Sequence, residues 1–176
     1  MLQSLRPSRR HVSRGLVCAA LAGALWPVES AAGRRGGPVD RIVVLKSKRT
    51  LLLQRGASTL AAFPVALGAQ PIGPKLREGD SRTPEGHYYI DGLNPQSRFH
   101  LALHISYPNA RDVRRARARG VPPGGNIEIH GMPDGYGRFD AVAFGDWTNG
   151  CIAVSNRAIE AIWASAGIGT PVVIRA

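Results

Sequence analysis

The chain has 176 residues and a formal net charge of +11 at pH 7, because 23 lysines and arginines outnumber 12 aspartates and glutamates. This length is typical of one domain, long enough to bury a core, rather than of several domains. No stretch is apolar for long enough to form a transmembrane helix, so a stable membrane span is excluded.

Residues 1–32 have the pattern of an export signal. Arginines between residues 6 and 14 are followed by an apolar run over residues 15–26 and by small residues suited to a signal peptidase. Residues 8–14 are also similar to a twin-arginine signal, so both export routes stay open. Removal of residues 1–32 lowers the net charge to +8, since four arginines and one glutamate are lost. We expect an exported protein of the periplasm or cell wall, with wall carboxylates and phosphates rather than nucleic acid as its anionic partners.

Residues 33–40 are predicted to be a linker, and residues 41–175 contain short apolar runs separated by turns. Pro64 lies inside the third run, which favours an edge strand or a bulge. Many short strands with Gly/Pro turns are typical of a β-sandwich or barrel. The predicted strands cover residues 42–45, 50–53, 60–67, 87–90, 99–106, 126–130 and 172–174.

Two short helices are predicted. One begins near Ser155 or Asn156, which are both good N-caps, and apolar residues recur at helical spacing until Gly167. The other covers residues 110–119 and is either a solvated insertion or a basic rim that attracts wall polymer. Its arginines surround the helix axis almost completely: Arg111, Arg114, Arg115, Arg117 and Arg119.

Cys151 is the cysteine that is left when residues 1–32 are removed. An unpaired thiol in an exported protein either pairs between chains or is used in chemistry. Cys151 follows Thr148, Asn149 and Gly150, and glycine allows a sharp turn and a close approach. The amides around Gly150 and Cys151 are therefore candidates for an oxyanion hole. The alternative, a small buried core residue, is disfavoured by the flanking glycine and asparagine.

His130 is the candidate base for this thiol. In an extended strand Asn126, Glu128 and His130 share one face, and Ile127 and Ile129 share the other. The apolar pair would face the core, which leaves His130 facing a cleft.

Three further points concern the site. The ring N–H of His130 needs an acceptor, and both the Glu128 carboxylate and the Gly131 carbonyl are candidates. His104 is a second histidine that is a candidate for the substrate cleft. The sequence has no paired Cys-x-x-Cys and no Gly-rich strand-to-helix fingerprint, so neither a metal nor another cofactor is expected.

These residues resemble the L,D-transpeptidase (YkuD/ErfK) family of wall-modifying enzymes. The family pattern is a histidine, fourteen to seventeen residues, and then Ser/Thr-His-Gly-Cys; here 17 residues separate His130 from Thr148, the first residue of Thr-Asn-Gly-Cys. Residues 83–86 are similar to the family's Thr-Pro-x-Gly strand entry. Asn149 departs from the pattern, because most members have histidine there. Several stretches, including residues 77–90, resemble the YafK-like branch.

The resemblance implies a mainly β catalytic domain over residues 41–175 and acyl transfer on peptidoglycan stem peptides. Cys151 would attack the carbonyl of the diaminopimelate residue and form a thioester, and an amine of a second stem would resolve it. His130, held by the Gly131 carbonyl, would take the thiol proton and protonate the departing D-alanine. Arg138 and Arg157 are candidate clamps for stem carboxylates.

Other functions stay open at this point. A hydrolase on the same scaffold would cut stems or release wall-linked protein. A non-catalytic wall-binding module would bind sacculi without using Cys151. A sortase is also rich in β-structure with a Cys and a His, but the Thr-Pro-x-Gly match disfavours it. The oligomeric state is also left open.

Overall fold

The computed structural model describes residues 39–176, so the predicted export signal and almost all of the predicted linker lie outside the described residues. This range contains eight strands and two short helices. The prediction of a mainly β fold with two short helices is therefore confirmed. A short 3-10 helix, Ala141–Phe144, lies between the sixth and the seventh strand. The elements are β1 (Arg41–Leu45), β2 (Thr50–Arg55), β3 (Ser58–Pro64), β4 (Gly86–Ser97), β5 (His100–Ile105), α1 (Ala110–Arg117), β6 (Glu128–His130), β7 (Ile152–Ala153), α2 (Asn156–Ser165) and β8 (Pro171–Arg175).

The strands form one open sheet in the order β3-β2-β1-β8-β4-β5-β6-β7. Neighbours are antiparallel except in the pairs β1–β8 and β6–β7, which are parallel. Pro64 ends β3 at one edge of the sheet, where its missing N–H breaks no ladder. The chain then returns to the other edge, where Ala66 and Ala153 of β7 exchange two hydrogen bonds of 2.9 Å. This isolated bridge approaches the closure of a barrel, but the sheet is not closed.

Several predicted boundaries differ from the structure. β4 continues to Ser97, and α1 ends at Arg117 rather than at residue 119. β6 is shorter than residues 126–130, because Asn126 has a φ of +55° and so cannot continue an extended strand. β7 was not predicted, since two residues are too few to show a strand period.

The core lies between the sheet and α2. The Ser155 hydroxyl accepts a hydrogen bond of 3.2 Å from the Ala158 N–H, so the predicted N-cap is confirmed. α2 then buries Ile159 and Ile162 in the main apolar cluster. A smaller cluster of Ala66, Met132, Ala141 and Ala153, with Trp147 and Phe139 packed on it, supports the segment between β6 and β7. Within residues 39–176 no helix has the length and apolar character needed to cross a membrane.

Candidate active site

The parallel pairing of β6 and β7 brings Cys151 and His130 to the same wall. Ile129 pairs with Ile152, and His130 pairs with Ala153. Cys151, directly before β7, is therefore level with Glu128, two residues before His130. Because Ile129 and Ile152 are both buried in the core, the alternating side chains of Glu128, His130 and Cys151 turn to the opposite side.

These side chains line one cavity of about 590 Å³. Its walls come from four parts of the chain that are distant in sequence: the loop before β4, the turn between β4 and β5, the segment leading into β6 and the turn before β7. Both polar and apolar groups face it. The lining residues used below are Lys75, Phe99, Asn126, Glu128, His130, Trp147, Thr148, Asn149 and Cys151.

The Cys151 thiol is half-buried and unpaired. Its S–H donates to the Asn126 carbonyl over a Sγ–O distance of 3.7 Å. Burial raises the pKa of the Cys151 thiol above its ordinary value. The Glu128 backbone N–H lowers this pKa by hydrogen bonding to the sulfur, and the Lys75 ammonium also lowers it. Since burial is the largest of these effects, the resting sulfur is a neutral thiol at neutral pH.

His130 is held on three sides, with only 3% of its surface exposed. Its Nδ1 lies 2.7 Å from the Gly131 carbonyl oxygen. A carbonyl only accepts, so Nδ1 carries the proton and Nε2 keeps a lone pair. The Phe99 ring lies 4.5 Å from the imidazole, and the Trp147 ring 5.8 Å from it, centroid to centroid. Burial lowers the pKa of His130 below its ordinary value, and the Gly131 hydrogen bond offsets part of this effect.

Gly131 is packed too tightly for any larger residue. A Cβ at this position would lie 2.7 Å from Asn156 Oδ1 and 2.8 Å from the Phe99 carbonyl oxygen. Asn156 Oδ1 also accepts a hydrogen bond of 2.8 Å from the Met132 N–H. The first residue of α2 therefore fixes the backbone that holds the His130 ring.

The turn that presents Cys151 is closed by the buried Thr148 hydroxyl. This hydroxyl donates to the Cys151 carbonyl over 2.7 Å and accepts from the Gly150 N–H over 3.1 Å. Gly150 has a φ of +126°, and a Cβ there would lie 2.7 Å from the Arg82 carbonyl oxygen. The Gly150 amide, predicted as part of an oxyanion hole, is thus already engaged. The Cys151 N–H has no acceptor within residues 39–176 and remains the candidate donor.

Lys75, which lines the cavity, belongs to a buried ion pair. Lys75 Nζ lies 2.8 Å from Asp80 Oδ1, and both side chains are almost fully buried. The Asp80 carboxylate also accepts from the N–H groups of Leu76, Arg77 and Arg82. The hydrogen bonds from Lys75 and from these amides hold the pKa of Asp80 below its ordinary value, although burial acts in the opposite direction. The loop over residues 75–82 is therefore pinned by one carboxylate.

Residues 83–86, the Thr-Pro-Glu-Gly stretch, are hydrogen-bonded to two other segments of the chain next to this loop. The Thr83 hydroxyl accepts a hydrogen bond of 3.0 Å from the Gly68 N–H. Lys46 Nζ donates to the Thr83 carbonyl over 2.9 Å and lies 2.8 Å from Glu85 Oε1. The motif thus joins β1, the segment after β3 and the entry to β4.

The three predicted substrate-binding residues do not line this cavity. Arg138 is exposed, with its guanidinium carbon 4.8 Å from the Phe139 ring centroid. Arg157 is exposed on the first turn of α2. His104 pairs with Glu128 across β5 and β6 and binds Asp91 through Nδ1. Their role in substrate binding stays a prediction, and the cavity gives it no geometric support.

Sequence reasoning missed Lys75, Phe99 and Trp147 as parts of the site. Phe99 precedes β5, and Trp147 precedes the Thr148 turn, so neither shows a periodic pattern of its own. Lys75 and Asp80 lie five positions apart in a charged loop, and this closeness of opposite charges could have predicted their ion pair. Asn149 is exposed and lines the cavity, as its motif position suggests. Within the described range, no group of three or more His, Cys, Asp or Glu side chains is arranged to hold a metal ion.

This fold and motif correspond to a known family. The model of the L,D-transpeptidase catalytic domain (YkuD) matches residues 39–174. The chain is 34% identical over 134 residues to the Escherichia coli K12 protein named "Putative L,D-transpeptidase YafK", covering 73% of this chain and 47% of the relative. The chain therefore belongs to the L,D-transpeptidase catalytic domain family, and it spans about half the length of the relatives it matches.

Solved structures agree with this assignment. The helical cell shape determining protein Pgp2 of Campylobacter jejuni superposes with a TM-score of 0.59 at 26% identity, covering 79% of this chain and 48% of that one. Bd1075 of Bdellovibrio bacteriovorus gives 0.56 at 25% identity, with 79% and 48% covered. An L,D-transpeptidase of Mycobacterium smegmatis gives 0.51 at 17% identity over 80% and 60% of the chains, a likeness of fold alone.

Proposed function

We propose that this chain is a peptidoglycan L,D-transpeptidase that uses Cys151 as its nucleophile. One observation carries the proposal: the β6–β7 pairing puts Cys151 and His130 on the wall of one cavity. The substrate class follows from family membership.

In the first half-reaction the Cys151 sulfur attacks the carbonyl of the diaminopimelate residue, and the thiol proton passes to His130 Nε2. The C–S bond forms, the C–N bond to D-alanine breaks, and His130 returns the proton to the departing amine. The Cys151 N–H stabilises the tetrahedral oxyanion. In the second half-reaction an amine of another stem attacks the thioester, and its proton returns to the sulfur through His130.

The electrostatics of the site favour proton transfer during the attack rather than before it. A raised thiol pKa and a lowered imidazole pKa both disfavour a resting thiolate–imidazolium pair. The neutral imidazole with a free Nε2 lone pair is the form that acts as a general base. His130 then serves as a base in acylation and as an acid when the leaving amine departs.

Export and biological role are part of the same proposal. The signal pattern over residues 1–32 supports action in the periplasm or cell wall. A cell-shape role is supported by the likeness to Pgp2, which is named for helical cell shape. Mass analysis of the secreted protein tests the first point, since a chain that keeps residues 1–32 contradicts removal of a signal.

A product assay tests the reaction. The domain is incubated with disaccharide tetrapeptide muropeptides, and the products are separated and weighed by mass spectrometry. Cross-linked dimers formed with loss of D-alanine, and absent with Cys151→Ala, are the expected result. Loss of mass without dimers would replace the transpeptidase with a hydrolase. Sacculus binding that Cys151→Ala leaves intact, with no product at all, would indicate a wall-binding module.

A further inference from the structure

The arginines of α1 and its C-terminal turn are of two kinds. Arg111, Arg115 and Arg119 follow each other at four-residue spacing, which places them on one side of the helix. All three line a surface depression of about 560 Å³ against His87 and the entry to β4. Arg114 and Arg117 belong to the same helix but are not among its lining residues.

This depression is the far end of a path that leads to Cys151. It shares Leu76 and Arg119 with a second depression, of about 540 Å³, which also contains Arg77 and Arg82. Arginines therefore line the surface from the helix to the loop over residues 75–82.

The second depression adjoins the Cys151 cavity. The two share Gly79 and Ser81, in the loop that the Asp80 carboxylate pins. A chain lying along α1 thus meets the Cys151 cavity at a loop whose backbone is fixed before any ligand arrives.

The acidic groups along this path are mostly engaged. Asp80 pairs with Lys75, and Glu85 pairs with Lys46, each at 2.8 Å. Glu78 lines the Cys151 cavity and is exposed. The ion pairs found in residues 39–176 include none of the α1 arginines. Their positive charge is therefore available to an anionic ligand.

Folding does not account for this clustering. α1 buries only Asp112 and Ala116, and like charges four residues apart on a helix destabilise it. The helix is held by its Asn109 cap and by a 3.0 Å hydrogen bond from the Tyr88 hydroxyl to Asp112. Arginine forms paired hydrogen bonds with carboxylates, which lysine cannot match.

We propose that the depressions lined by Arg111, Arg115, Arg119, Arg77 and Arg82 form a binding track for the carboxylates of a second peptidoglycan stem, the acceptor. This proposal rests on the proposed transpeptidase function. It gives a binding surface to the acceptor stem, which must reach the thioester after D-alanine has left.

The test uses two charge-matched double variants in a Cys151→Ala background. Arg111→Gln with Arg115→Gln removes two charges from the track, and Arg114→Gln with Arg117→Gln removes two from the same helix outside it. The probe is a fluorescent stem tripeptide with free carboxylates, followed by anisotropy. We expect the first pair to weaken binding at least about fivefold and the second pair less than about twofold. Equal effects of the two pairs, or no binding of the probe, would overturn the proposal.

Two further measurements distinguish an acceptor track from a general anion site and from damage to the catalytic wall. An amidated tripeptide should bind weakly, and inorganic polyphosphate should compete no better than free tripeptide; the reverse of either result would overturn the carboxylate assignment.

With Cys151 restored, the track variants should raise the KM for acceptor while leaving carbapenem acylation of Cys151 unchanged. Slower acylation would instead indicate general damage to the site and contradict a separate track. If wild type forms no dimers, the transpeptidase proposal fails and the acceptor role fails with it, while the binding measurement still decides whether these arginines bind stem carboxylates.

Discussion

The wall around Cys151 and the arginine face of α1 are built in opposite ways. His130, Thr148 and Gly150 are buried, and their polar groups meet protein partners at hydrogen-bonding distance. The arginines of α1 are largely exposed and belong to no ion pair among residues 39–176. The first region positions atoms, whereas the second presents charge. Small steric changes should therefore damage the wall, and only the loss of charge should damage the helix face.

The largest expected effect is at Gly131. In Gly131→Ala the new methyl group would lie within 2.8 Å of Asn156 Oδ1 and of the Phe99 carbonyl oxygen, so the backbone that orients His130 must move. We expect product formation to fall about 100-fold, as for a misplaced catalytic group, and the free energy of unfolding to fall by about 1–3 kcal/mol. Gly167→Ala is the matched control, because no atom lies within 4 Å of its Cβ position. Full activity of Gly131→Ala would contradict the role given to this backbone.

The pH dependence of Cys151 acylation tests whether His130 and Cys151 are both uncharged at rest. Because burial lowers the pKa of His130, the acid limb of the acylation rate should lie below about pH 6.5, with about a tenfold loss per unit beneath the imidazole pKa. Protonation of His130 favours the unfolded chain, so stability should also fall as the pH drops below about 6.5. The raised thiol pKa should keep the rate level up to about pH 9. An acid limb above pH 7 would contradict this assignment.

The hydroxyl of Thr148 is the next test of the wall. Thr148→Val removes the hydrogen bonds to the Cys151 carbonyl and from the Gly150 N–H while keeping the shape of the side chain. We expect a loss of about 2 kcal/mol in the free energy of unfolding, measured by urea denaturation. Thr148→Ser keeps the hydroxyl and should lose much less. Equal stability of the two variants would show that the hydroxyl does not hold the turn.

The smallest effect should come from the cap of α1. Asn109 Oδ1 accepts from the N–H groups of Arg111 and Asp112 over 2.9 and 3.1 Å. Asn109→Ala should cost about 1 kcal/mol, and Asn109→Ser, which keeps a capping oxygen, should cost less. Neither should change the rate at which a carbapenem acylates Cys151, since α1 does not line that cavity. A slower reaction would show that the two regions are coupled.

The same contrast explains which features of the fold and of the site could be predicted from the sequence. Apolar runs predicted seven of the eight strands, and the spacing from His130 to Cys151 predicted the family, because both signals are local. The two-residue strand β7, which sets the register between these side chains, has no period to detect. The capture of the Gly150 amide by Thr148 depends on a turn with φ of +126°, and the place of Lys75 in the cavity depends on chain segments distant in sequence. Such features follow from tertiary geometry rather than from pattern.

The central claim is that Cys151 and His130 act as one chemical unit, and intact-protein mass spectrometry after incubation with a carbapenem tests it most directly. We expect a one-to-one adduct on Cys151 in the wild-type domain, none in Cys151→Ala, and formation at least about 100-fold slower in His130→Gln. A folded wild-type domain that forms no adduct, or an adduct that forms equally fast without the imidazole, would contradict the claim.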